Sequence, residues 1–163
     1  MEQGVWKRDD PAQAALAFYA PMHLLYAVAD ARGEEAALAL LGDEKNRTAR
    51  YQAAEEHLND VMPEHETVME HVLVNHMFFE QFPFQDRDEG LCDEFVAICA
   101  VYALMRVLCV CAMAEQTETT AFVDAIAATF RFIDHTAFDR YGAHLLKKLG
   151  CADSTSLAKL VTV

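Results

Sequence analysis

The sequence predicts an all-α fold: a single-domain antiparallel helical bundle of about six or seven helices, with a buried central helix near residues 91–114. Three observations carry this expectation. Apolar residues recur at three- and four-residue spacing almost throughout the chain, which is the period of one face of a helix. Alternating apolar and polar runs bounded by turn residues, the mark of a half-buried strand, are scarce. The connections between periodic segments are short, which favours antiparallel neighbours. A chain of 163 residues with 53% apolar and 24% charged residues is large enough to close one core. It holds no internal repeat and no long Ser, Gly or Pro tract that would mark a linker.

Asp10 before Pro11 is a helix start, because proline is tolerated at the first helical position and aspartate can cap the free amides. The first helix then runs from about Pro11 to Ala31, bent near Pro21, and ends at Gly33. A short apolar stretch from Glu35 to Leu41 stops at Gly42, and an amphipathic segment follows from about Asp43 to Val61. Pro63 opens the next helix, which reaches about Gln81 and is terminated by Phe82-Pro83-Phe84, since proline disfavours a helical residue before it. The segment from Gln85 to Gly90 is charged and reads as an exposed loop.

Leu91 to Ala114 is the most apolar segment, with Arg106 the single charge between Phe95 and Ala114. The length would span a bilayer. A charge inside the stretch and acidic rather than basic flanks argue instead for a helix buried by its neighbours. Thr117 or Thr119 caps a further helix to about His135; Phe138 to Leu149 follows and ends at Gly150; Ser154 or Ser156 starts a last helix, Leu157 to Val163.

The net charge of −13 is unevenly placed. Residues 1–94 hold 20 Asp and Glu against 7 Lys and Arg, whereas residues 95–163 hold 6 of each. An acidic surface repels phosphate backbones and anionic lipid heads, so nucleic acid and membrane are not expected partners, and a basic protein or a cationic side chain is. The five cysteines are an odd number with no recognisable signal peptide, which fits a reducing cytoplasm. Four of them fall in one helix, where Cys109 and Cys111 point about 200° apart and cannot share a metal ion. They read as small core residues, and no metal or iron-sulfur cluster is expected in this chain.

Three polar features stand out. On a helical wheel of residues 64–82 the apolar face centres on Val68, Val72 and Phe79, and Asn75 falls within it, with His71 and His76 nearby. A buried amide there either faces a ligand or ties two helices together. Arg106 must be paired wherever it is buried, with Glu70, Asp93, Glu94 or Asp134 as candidate partners, and it is either an internal staple or a group that holds a carboxylate or cofactor. In the helix after Thr119, Asp124, Arg131 and His135 share a stripe opposite Phe122, Ile126, Phe130 and Ile133. Most such stripes face water, but a histidine there also titrates in the range useful for proton transfer. There is no GxGxxG, Walker loop, HExxH or GxSxG.

Glu70-His71-Val72-Leu73-Val74-Asn75-His76-Met77-Phe78, closed by Phe82-Pro83-Phe84, resembles a block of the flagellin lysine-N-methylase family. Downstream, Tyr102-Ala103-Leu104-Met105-Arg106 resembles that family's aromatic-to-arginine helix. Phe130-Arg131-Phe132-Ile133-Asp134-His135 resembles its Phe-x-Arg-x-x-acid-His helix, except that Arg131 follows Phe130 directly. The resemblance covers about residues 43–150 and implies a relation to enzymes that transfer methyl groups from S-adenosylmethionine to lysine side chains of flagellin or another lysine-bearing protein. It also implies one site lined or supported by five residues: His135 or Glu70 as base, and Asn75, Arg106 and Arg131 as substrate- or cofactor-binding groups. The closely spaced cysteines that the family carries upstream have no counterpart here. The chain is therefore expected to be either the C-terminal part of a longer protein, with a cysteine-rich N-terminal half as partner, or a free-standing relative. A non-catalytic helical module that recognises a basic protein is the alternative function.

Overall fold

A computed structural model of the chain describes residues 46–84, 90–134, 138–148 and 150–161. The helices expected before residue 46 and the expected loop at 85–89 lie outside the described residues. Among the described residues there are six helices and no strand: α1 (Arg47–Val61), α2 (His65–Phe79), α3 (Leu91–Met113), α4 (Thr119–Asp134), α5 (Phe138–Lys148) and α6 (Ser154–Val161). The expected all-α class and the position of the central helix hold.

α3 is the hub. It packs most extensively against α4 and α5 and also touches α1, α6 and α2. From Ile98 to Met113 every side chain except Arg106 is buried, which explains why no polar face is visible in that segment: a helix covered on all sides needs none. α3 is also the one helix among the described residues long and apolar enough to cross a membrane, and 89% of its most apolar window is buried within the fold.

Two contacts orient α5 on α3. Lys147, near the end of α5, pairs with Asp93 at the start of α3, while an added Cβ at Gly142 would stand only 2.9 Å from the Cβ of Ala100. As numbers rise along α3 they fall along α5, so the two helices are antiparallel. Glycine at 142 is what lets their backbones come this close.

The helix ends show why the boundaries differ slightly from expectation. α2 stops at Phe79, before Phe82-Pro83, because Gln81 turns into the left-handed region with φ 55°. Its amide donates to the carbonyl of Phe78 (3.0 Å) and the Phe82 amide to that of Met77 (2.9 Å), the paired bonds of a Schellman motif. α5 ends in the same way at Gly150, φ 70°, with bonds from Gly150 to Lys147 (3.0 Å) and from Cys151 to Leu146 (2.8 Å). α6 begins three residues earlier than expected, because Asp153 is its cap: Oδ1 accepts from the amides of Thr155 and Ser156, each at 3.1 Å, and Oδ2 accepts from the Ser156 hydroxyl at 2.6 Å.

Candidate functional site

A cleft of about 410 Å³ opens where α1, α2 and α3 meet, with Phe122 of α4 and Val161 of α6 also lining it. The inner wall is apolar: Leu58 comes from α1, Met69 and Leu73 from α2, and Val110 and Cys109 from α3. The polar groups are Glu55, His65, Glu66, Glu70, Tyr102 and Arg106. Three of these are carboxylates and one is a guanidinium, so the lining is acidic on balance.

Helical spacing produces this grouping. Glu66 and Glu70 lie four apart on α2, and Tyr102 and Arg106 lie four apart on α3, so each pair projects from one face of its helix. Arg106 reaches across to α1, where an Arg106 Nη2–H donates to Glu55 Oε1 at 2.5 Å. Both side chains are only about one-fifth to one-quarter exposed, at 19% and 24%, so the pair is partly withdrawn from water and its charge-assisted bond is correspondingly strong. None of the four partners anticipated for Arg106 is the actual one: Glu55 stands 51 residues away in sequence, and only the packing of α1 on α3 brings it near.

Two buried phenols flank the guanidinium. Tyr51 of α1 and Tyr102 of α3 are 5% and 7% exposed. Burial pushes the Tyr51 phenol well above the ordinary tyrosine range and raises that of Tyr102, and the positive charge of Arg106 only partly opposes it in each. Glu66 and Glu70 push Tyr102 up further. Both phenols therefore stay protonated at neutral pH. His65 is buried as well, with its Nδ1 2.9 Å from the carbonyl of Met62, so that nitrogen carries the proton and donates it.

The five site residues expected from the sequence do not all converge. Glu70 and Arg106 line the same cleft. Asn75 does not join them; it is exposed on α2. The buried stripe of α2 runs through His65, Met69 and His76, with Val68, Val72 and Leu73 partly covered, so it is rotated away from the expected centre and carries Asn75 outward. Phe79, expected in that stripe, is 75% exposed. Arg131 is exposed on α4 and absent from the cleft lining, as is Asp124, in keeping with a stripe that faces water. His135 lies outside the described residues. The cleft residues not singled out as site residues from the sequence are Glu55, His65 and Glu66, and Tyr102 stood there only as the first residue of the aromatic-to-arginine block that ends at Arg106.

His76 turns inward and packs against Phe130 of α4, with ring centroids 5.3 Å apart and the planes tilted by 55°. Burial lowers its pKa, against the opposing pull of Glu80, Asp134 and Asp139. Cys99, Cys109 and Cys111 are buried in α3 as expected of core residues, whereas Cys92 is exposed and Cys151 half-buried. Burial raises the Cys99 thiol to about 11 and raises Cys109 further still, so neither is an active nucleophile near neutral pH. Among the described residues no three His, Cys, Asp or Glu side chains are grouped to hold a metal ion.

Fold and site together define an all-α domain wrapped round an apolar central helix, with an acidic cleft, lined in part by Tyr102, on one side. Residues 23–162 match the family model described as the FliB lysine N-methylase C-terminal domain. The chain belongs to that family. No curated protein and no solved structure matches it.

Proposed function

We propose that this chain is part or relative of a protein-lysine N-methyltransferase that modifies flagellin in the cytoplasm with S-adenosylmethionine as methyl donor, and that its cleft receives the lysine side chain. The observation that carries the proposal is the pairing of chemistry in one recess. Glu66 and Glu70 stand together at the cleft with an apolar wall beyond them, which suits a side chain with a four-carbon apolar stem and a cationic head. The acidic excess of residues 1–94 adds a longer-range attraction for a positively charged substrate. Removal of a proton from the ammonium, which must precede attack by its nitrogen, falls to Glu70 or His135 in this proposal.

The methyl donor fits the cleft less well than the lysine does. Its sulfonium suits the carboxylates, but its own carboxylate would need a cation, and Arg106 is already engaged by Glu55. A volume of about 410 Å³ is near the lower end for a small-molecule site and suits one reactant rather than two. The donor is therefore assigned to residues beyond this cleft, and the expected role of Arg106 and Asn75 in fixing it is not retained. Arg106 as an internal staple also favours the second reading, a non-catalytic module that recognises a basic protein.

Calorimetric titration with flagellin, and with flagellin whose lysines have been acetylated, tests lysine capture. Wild type is expected to bind only the unmodified protein, and Glu66→Gln/Glu70→Gln to bind it at least several-fold more weakly. Equal binding of the acetylated protein would sink the proposal. Transfer of a labelled methyl group to flagellin, assayed on the same samples, separates the enzyme from the binding module.

A further inference from the structure

Tyr102 poses a problem that the fold alone does not solve. It is 7% exposed, its phenol is close enough to Arg106, Glu66 and Glu70 to feel the charge of each, and all four side chains line the one cleft. Yet among the described residues no hydrogen bond to that hydroxyl is formed, although a buried phenol is ordinarily satisfied. Its neighbour Arg106 does not satisfy it, because the guanidinium turns to Glu55 instead. A buried phenol without a partner, on a side chain that lines a recess whose free charges are negative, is arranged for a donor that arrives from outside.

We infer that the Tyr102 hydroxyl is a substrate-binding group that accepts an N–H from a primary ammonium held between Glu66 and Glu70. This rests on the proposed lysine-binding reading of the cleft and assigns one of its lining residues. The division of labour follows from position. The two exposed carboxylates of α2 supply attraction without direction, while a single oxygen on the buried wall fixes where the nitrogen stops. A hydroxyl can accept this bond and still turn its own proton toward a carboxylate or water. The geometry also orders the methylation states: each methyl group added to the nitrogen removes one N–H, and a trimethylated nitrogen has none left to offer Tyr102.

The test uses three small probes titrated into the full chain and followed by NMR shifts: Nα-acetyl-lysine methylamide, its Nε-trimethyl form, and the norleucine analogue that lacks the charged head. Wild type is expected to bind the lysine probe, and the norleucine analogue weakly or not at all. Tyr102→Phe is expected to weaken the lysine probe about tenfold, in line with loss of a hydrogen bond to a charged group, and to leave the trimethyl probe within about twofold. That contrast is one that a merely structural role for the ring does not produce. Equal weakening for both cationic probes, or none for either, overturns the assignment of Tyr102 while the lysine-binding reading stands. A wild-type chain that fails to bind the lysine probe removes that reading, and the assignment with it. If Tyr102→Phe lowers the melting temperature, the comparison between probes on the folded variant still decides, because both are read on the same molecule.

Discussion

At the scale of single residues, the informative side chains are polar ones placed where apolar ones would be the default. His76 is the clearest. Burial against Phe130 disfavours its charged form and lowers its pKa, and Glu80, Asp134 and Asp139 do not restore it. The unfolded chain, with histidine at about 6.5, therefore binds a proton before the folded one does as pH falls. The contribution of His76 is present in full above that pH and is lost as pH falls from there through the lower folded value. His76→Phe, which keeps an aromatic ring beside Phe130, is expected to flatten the fall in melting temperature between about pH 7 and pH 5. An unchanged slope in thermal melts across that range would show that other groups set the acid sensitivity. On the wheel His71 and His76 both lie near the apolar stripe and Asn75 within it, but only His76 turns inward, while His71 and Asn75 are exposed. Asn75 and His76 are adjacent on α2, and a modest rotation of the buried face carries Asn75 outward. A wheel ranks positions by the helix's own hydrophobicity, whereas the neighbouring helices decide which edge of the stripe is covered.

Elements were more legible than individual contacts. The period of apolar residues survives any detail of packing, so α1 to α6 fall where the periodicity puts them, to within a few residues. What the period does not report is how a helix stops. The ends of α2 and α5 use the same Schellman bonds, but with glutamine in one left-handed position and glycine in the other. That difference makes a matched prediction. A residue with a Cβ costs about 1–2 kcal/mol in this conformation relative to glycine, partly offset by the entropy glycine loses on folding. Gln81→Gly should accordingly raise stability by about 0.5–1 kcal/mol and Gly150→Ala should lower it by a similar amount. At this chain length that is about 2–4 °C in opposite directions for each kcal/mol. Thermal denaturation of the two variants checks it. Shifts of the same sign would mean that the left-handed turns are not what ends these helices in solution.

Over the whole molecule, α3 serves as the common wall against which the other helices are placed, and the cleft exists because α1 and α2 meet that wall with charged residues at the seam. The Arg106–Glu55 pair is the polar clasp of α1 on α3, set beside the apolar contacts of Tyr51, Ala54 and Leu58. Such a pair is invisible to periodicity, since it is fixed by which helices become neighbours and not by anything within either one. That is why the existence of a partner for Arg106 was readable and its identity was not. The clasp also bears on function: with its guanidinium held by Glu55, Arg106 leaves Glu66 and Glu70 to set the sign of the cleft. A double-mutant cycle measures it. Arg106→Met leaves a partly buried carboxylate without its partner, and Glu55→Met leaves a guanidinium so, and each is expected to cost about 1–3 kcal/mol by denaturant unfolding. The double variant removes both charges and replaces them with apolar side chains, so its cost should fall short of the sum of the two by about 1–2 kcal/mol. Additive losses would mean that the pair contributes no mutual energy, and that α1 is held on α3 by its apolar face alone. Arg106 would then be a cation available to a ligand, which would reverse the charge argument for the cleft.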